Sequence, residues 1–177
     1  MSEGPDLCIR EYAPEDFTDF FQVMRDAIRL TCAAAYGIEA TTAWVADGNP
    51  SFRFVVPQHA FVMVQNDEII AVGGWTLTDQ VALHPAIDTI AGSPSHVRIN
   101  AVYVKPGFEG QGFGQKMVRH MEQHIISTSP VRDVYLWATL NAVSFYERLG
   151  FTPGAEQSPE VAPGHKIKVS YMGKILA

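Results

Sequence analysis

Four glycines fall within eight residues in GFEGQGFG, Gly107 to Gly114, between the runs INAVYVKP and QKMVRHMEQHI. Glycine lets a backbone approach an anion with no Cβ in the way. A helix that starts behind such a loop aims free N–H groups and the positive end of its dipole at that anion. The chemistry on offer is phosphate binding, although a tight turn that packs helix closely on strand would use the same residues. Spacing narrows the phosphate readings. A dinucleotide fingerprint starting at Gly110 needs glycine where Gln115 stands, and a P-loop starting at Gly107 has Phe113 where lysine is required.

A second group lies in NAVSFYERLGF, Asn141 to Phe151. Tyr146 brings a phenol, ordinarily titrating near pH 10, into this run. The same run also reads as an amphipathic helix, with Phe145 and Leu149 four apart and Gly150 as its stop. His96, Arg98 and Asn100 alternate onto one strand face, which carries no carboxylate; Glu68, Asp79, His84 and His165 are the remaining candidate bases. His120 and His124 are four apart on one helix, but Met121 breaks the zinc-protease pattern, so they read as a solvated flank and no metal is expected. Cys8 and Cys32 form no CxxC pair and read as reduced, buried small hydrophobes.

The elements that must position these groups follow from periodicity. LCIREY alternates as a first strand, and Pro14 opens a helix running to about Tyr36, where Gly37 stops it. IEATTAWVADG is a short helix ended by Gly48. AFVMVQNDEIIAVGGWTLT is a hairpin turning at Asn66 and Asp67, and Asp79 to Ser95 read as a loop. HVRINAVYV is a strand rich in β-branched residues. Phe113, Met117, Met121 and Ile125 then recur every fourth residue, so the next helix lays one apolar stripe on the sheet. DVYLWAT is a strand, the helix after it is capped by Asn141, EQSPEVAPGHK is a loop, and HKIKVSYMGKIL is the last strand. The order β-α-α-β-β-β-α-β-α-β-β predicts an α/β chain of the α+β type, a mixed, mostly antiparallel sheet flanked by helices. No linker divides residues 1–177, so one domain is expected.

The net charge of −6 argues against bulk nucleic-acid binding, which needs a cationic face to displace counterions. No apolar run approaches the roughly 18 residues of a membrane span, and MSEGPDL has no basic or apolar leader, so a cytoplasmic location is expected.

The run VYVKPGFEGQGFGQKMV resembles the central motif of the Gcn5-related N-acetyltransferase (GNAT) superfamily, [RQ]-x-x-G-x-[GA] at a helix start after a strand ending V-x-P. Val104, Pro106, Gly110, Gly112 and Gly114 match it; Glu109 departs, standing where the family has Arg or Gln. NAVSFYERLGF resembles the superfamily's downstream motif, one strand later, in the family order. The resemblance implies an acetyl-CoA-dependent N-acetyltransferase acting on a small amine, amino acid or peptide amine by direct attack in a ternary complex. It implies that the strand of Val102 and Val104 pairs with the pantetheine arm, and that amides of Gly110, Gln111, Gly112, Phe113 and Gly114 hold the pyrophosphate. Asn141 would contact the cofactor, and Tyr146 would protonate the departing thiolate. More loosely, RLTCAAAYGIEATTAWV resembles the front helices of one subgroup, which implies Tyr36 and Trp44 beside the acceptor. Another acyl-CoA donor, a non-catalytic CoA sensor and a nucleotide-binding regulator are the alternatives, and a homodimer is left open.

Overall fold

A computed structural model of the chain describes residues 6–46, 56–78 and 96–177. Strand β1 (Leu7–Glu11) leads through a 3-10 turn at Pro14–Asp16 into helices α1 (Phe17–Thr31), α2 (Ala33–Tyr36) and α3 (Ile38–Ala46). Then come β2 (Ala60–Gln65), β3 (Glu68–Thr78), β4 (His96–Val104), α4 (Phe113–Thr128), β5 (Asp133–Thr139) and α5 (Val143–Arg148). The chain ends with β6 (Thr152–Gln157), β7 (Glu160–Ala162), β8 (His165–Lys166) and β9 (Val169–Ile175). The main sheet has the order β1-β2-β3-β4-β5-β9-β6, and β7 and β8 form a separate hairpin. Every pairing in the main sheet is antiparallel except β4 with β5. The expected mixed, mostly antiparallel sheet with flanking helices is what forms.

Local chemistry explains most elements. Asn66 and Asp67 both take positive φ, 50° and 62°, the two-residue turn whose twist matches the strands it joins. In α1, Phe20, Val23, Met24, Ala27 and Ile28 form the buried stripe facing β2, β3 and β4. On the other face, Phe113, Met117, Val118, Met121 and Ile125 of α4 are buried in the largest core cluster. That helix lies close because Gly73 has no side chain: a Cβ there would sit 2.9 Å from Met117 Cγ and 3.1 Å from Met121 Cε. Gly73→Val should lower the stability by about 1–3 kcal/mol through overpacking, read as an earlier denaturant midpoint.

Buried Glu122 ties α4 to the far half of the sheet. Lys174 donates to its Oε1 at 2.6 Å and to the Leu149 carbonyl at 2.8 Å, while Arg119 donates to its Oε2 at 2.9 Å. One lysine thus joins α4, β9 and the end of α5.

Several expectations need correction. The front helix is not continuous to Tyr36: it breaks at Cys32, whose amide reaches back to the Ala27 carbonyl at 3.3 Å. Asn141 does not cap α5. It lies in a 3-10 turn, Leu140–Ala142, and the helix starts after Ala142 without a side-chain cap. Gly150, at φ 89°, does end it: the Gly150 and Phe151 amides close onto Glu147 and Tyr146 carbonyls. The expected 156–166 loop contains the β7–β8 hairpin, and the last strand starts only at Val169. Cys32 is buried but Cys8 is exposed. The stop at Gly48 and the loop Asp79–Ser95 lie outside the described residues.

The histidine pair on α4 is not a solvated flank. Trp75 Nε1 donates to His124 Nδ1 at 3.2 Å, His59 stacks on Trp75 at 3.7 Å, and Phe61 meets His120 and His124 nearly edge-on at 4.8 and 4.9 Å. Burial first, and the neighbouring His124 second, hold His59 and His120 below the usual histidine value. The unfolded chain therefore binds more protons than the folded one as the pH drops below about 6.5, so stability is full above that value and falls toward the depressed ones. The urea midpoint should decline between about pH 7 and pH 5, and His120→Gln should flatten that decline.

Candidate active site

β4 and β5 pair at only two positions, Val97 with Val134 and Arg98 with Tyr135, and then part. The cause lies in β4 itself. Ala101 takes φ 54°, and against β3 the register jumps from Asn100–Gly74 to Tyr103–Val72, so Ala101 and Val102 together oppose Gly73. This bulge bends the strand away from β5 and reverses its alternation. Val97 and Ile99 before it, and Val102 and Val104 after it, all pack with the α4 cluster, while Ala101 and Tyr103 join the α1 side.

Two cavities fill the gap, one of about 260 Å³ and one of about 520 Å³. Both are lined by Val102, Tyr103, Thr139, Ala142 and Tyr146, so Tyr146 stands where they meet. Sequence reasoning found Val102 and Tyr146 but missed Tyr103, Thr139 and Ala142. A bulge leaves no mark in the alternation from which Tyr103 could have been read.

The larger cavity runs to the glycine loop. Gly110 and Gly112 take φ 76° and 82°, where a side chain is strained, and a Cβ on either would meet nothing within 4 Å. The Lys116 amide donates to the Gly112 carbonyl at 3.0 Å as the first helical donor, so the amides of Phe113, Gly114 and Gln115 before it have no acceptor within the helix. Gly114 differs: a Cβ there would lie 3.2 Å from Phe145 Cζ and 3.6 Å from Val104 Cγ2, so it keeps α4 close to α5 and β4. Phe113 lines the cavity; Gln111 is exposed and does not, whereas Gln115 does. Asn141 lines it from the turn before α5.

Glu109 folds back on its own loop. Its Oε2 accepts the Gly107 amide at 2.6 Å and its Oε1 accepts the Thr31 hydroxyl at 3.3 Å, fastening the loop to the end of α1. The anomalous carboxylate is thus a brace, and it still lines the cavity.

Tyr146 is 8% exposed, and burial pushes its phenol above the usual tyrosine range, with Tyr103 adding a smaller push. It stays protonated wherever the protein is folded at ordinary pH. Any thiolate held in the same cavity would be desolvated too, and its basicity raised likewise.

The smaller cavity is lined by Trp44, Arg98, Asn100, Trp137, Glu160 and Ile167, among others. The Arg98 guanidinium lies 4.3 Å over the Trp137 ring. Burial lowers its pKa from the ordinary value, opposed by Tyr135, and it remains a cation. Glu160 Oε1 accepts the Gly164 amide at 2.8 Å across the β7–β8 turn. Trp44, expected beside the acceptor, lines this cavity. Tyr36 does not line this cavity: its hydroxyl donates to the Lys168 carbonyl at 2.6 Å and accepts the Leu140 amide at 2.8 Å. Burial pushes that phenol up to about 12, against the Leu140 hydrogen bond. It is a strut between α2, the start of β9 and the turn before α5.

Of the candidate bases, Glu68 is ion-paired with Lys105, His165 sits in β8, and Asp79 and His84 lie outside the described residues. His96 is buried with Nδ1 3.4 Å from Asp133. Among the described residues no group of three or more His, Cys, Asp or Glu could hold a metal ion, and no helix is long and apolar enough to cross a membrane.

The family model "Acetyltransferase (GNAT) family" matches residues 18–151. The fold is similar to a GCN5-related N-acetyltransferase from Rhodopseudomonas palustris at TM-score 0.75 and 18% identity, covering 99% of this chain and 98% of that one. It is also similar to the PaiA N-acetyltransferase of Thermoplasma acidophilum, solved with coenzyme A (TM-score 0.68, 16% identity, 96% and 99% covered). A GNAT family acetyltransferase of Brucella melitensis, solved with acetyl-CoA, gives TM-score 0.59 at 16% identity, with 97% and 88% covered. No curated protein matches the sequence. At these identities the structural likenesses speak to the fold.

Proposed function

Because this chain belongs to the acetyltransferase (GNAT) family, we propose that it transfers the acetyl group of acetyl-CoA to a primary amine of a small molecule, amino acid or peptide, with both substrates bound at once. The observation that carries this reading is the position of Tyr146 at the meeting of two cavities. The larger takes the cofactor. Its pyrophosphate rests on the amides of Gly110, Gly112, Phe113 and Gly114, and Asn141 touches the cofactor from across the gap. Past Arg98, β4 has no pairing with β5 among the described residues, so its backbone around Val102 and Val104 can hydrogen-bond the pantetheine arm. The smaller cavity takes the acceptor against Trp44.

The thioester carbonyl then lies at the meeting point. A neutral amine attacks it, and the oxyanion forms beside backbone N–H groups. Collapse breaks the C–S bond and expels a thiolate that takes its proton from Tyr146, and the proton shed by the acylated nitrogen restores the phenol. Loss of the amine's extra proton precedes attack, so the rate should climb with pH toward the acceptor's own pKa. The raised pKa of Tyr146 keeps the acid in place through that range.

The test is a thermal-shift titration with acetyl-CoA followed by thiol release over an amine panel. Stabilisation by acetyl-CoA and amine-dependent thiol release support the reading. Faster release from succinyl-CoA would change the donor. Stabilisation without turnover on any amine would make the chain a CoA sensor, and stabilisation by ATP or NAD instead would make it a nucleotide-binding regulator.

A further inference from the structure

The acceptor cavity holds an arginine that the transfer chemistry does not use. Arg98 and Glu160 are the two charged residues on its lining. They are placed differently. Glu160 is exposed, on the β7–β8 hairpin, and spends one carboxylate oxygen on the Gly164 amide. Arg98 is half-buried in the sheet, flat against Trp137. A guanidinium has five N–H donors, so Arg98 can keep its contacts to the protein and still present an N–H edge to the cavity.

The position follows from the β4 bulge. The backbone around Val102 is left to the cofactor, while Arg98, before the bulge, lines the acceptor cavity and not the larger one. A guanidinium on a cavity wall pairs most favourably with a planar anion that takes two of its hydrogens at once. A second ammonium brought to the same place would be repelled. About 260 Å³ lies at the low end of small-molecule sites, with room for a molecule of amino-acid size.

We propose that the acceptor carries an anionic group, a carboxylate, and that Arg98 selects it over neutral and polycationic amines. This rests on the acetyl-transfer reading for the identity of the reacting group, but the recognition itself is a binding event and can be measured without turnover.

Calorimetry on the protein saturated with CoA should compare L-leucine and L-phenylalanine with their amides and with putrescine. The acids are expected to bind about 10- to 100-fold more tightly than the amides, as for a charged hydrogen-bonded pair, and putrescine weakest. Arg98→Met should erase the acid–amide difference while CoA affinity stays unchanged, and Arg98→Lys should restore part of it. Equal binding of acid and amide by the unaltered protein overturns the proposal, even if Arg98→Met proves unfolded. So does a folded Arg98→Met that keeps the preference. If no amine is acetylated yet the Arg98-dependent preference for the acid remains, the transfer reading fails and this recognition stands.

Discussion

Tyr146→Phe is expected to lower kcat by about a hundredfold or more while the affinity for acetyl-CoA stays nearly constant. The ring packs against Phe145 and Phe151, at 4.9 and 5.7 Å between centroids, and phenylalanine preserves those contacts. What is removed is one hydroxyl at the meeting of the two cavities, which among the described residues has no hydrogen-bond partner. Without it the thiolate leaves unprotonated into a desolvated space, and collapse of the tetrahedral intermediate back to reactants is favoured. The split between constants is the informative part. A variant with full turnover would remove Tyr146 from the reaction, and one with weakened cofactor binding would make it a wall of the cofactor site. The variant's unfolding temperature should match the parent's, since the lost group sits beside the cavity and fills no gap.

Gly112→Val should weaken acetyl-CoA binding by about 10- to 100-fold, the loss of one or two charged hydrogen bonds. No atom stands within 4 Å of the new Cβ, so the substitution is sterically open in the unliganded chain. The left-handed φ of 82° strains it by about 1–2 kcal/mol, which shifts the melting temperature without preventing folding. The methyl groups then occupy the space over the helix end. A folded Gly112→Val with parental affinity, measured by calorimetry, would refute the loop assignment. Gly114 is the contrasting control. A bulky residue there collides with Phe145, so the damage is to the packing of α4 on α5, and lost binding would say little about the anion.

The glycine loop and the Asn141–Phe151 run were legible because each is a local pattern whose spacing survives in one dimension. The sheet and the α4 stripe were legible for the same reason. What escaped was decided between distant segments. The break at Cys32 has no glycine or proline to announce it, yet it turns Tyr36 toward Lys168 and Leu140, more than a hundred residues away. His120 and His124 look like a polar flank until His59 arrives from the turn before β2 and Trp75 from β3. Glu109 read only as a departure from the motif because its bonds to Gly107 and Thr31 belong to a folded loop. The wall of the smaller cavity was the least legible part, since Arg98 and Glu160 line it from strands with no shared motif.

The two pairings that join β4 to β5 divide the protein's labour as well as its sheet. The larger cavity draws on the glycine loop, the end of α1, the turn before α5 and α5 itself. The smaller one is walled mainly by β4 and β5, closed over by Trp44 of α3 and by the stretch from Pro159 to Val169. On the proposed reading, transfer chemistry and acceptor choice are therefore written in largely different residues of the chain. If the smaller cavity takes the acceptor as proposed, substitutions at Trp44, Arg98, Glu160 or Ile167 can accumulate under selection for a new amine while the donor site is inherited intact, and a laboratory search for altered acceptors can confine its libraries to α3, the start of β4 and the 159–169 stretch.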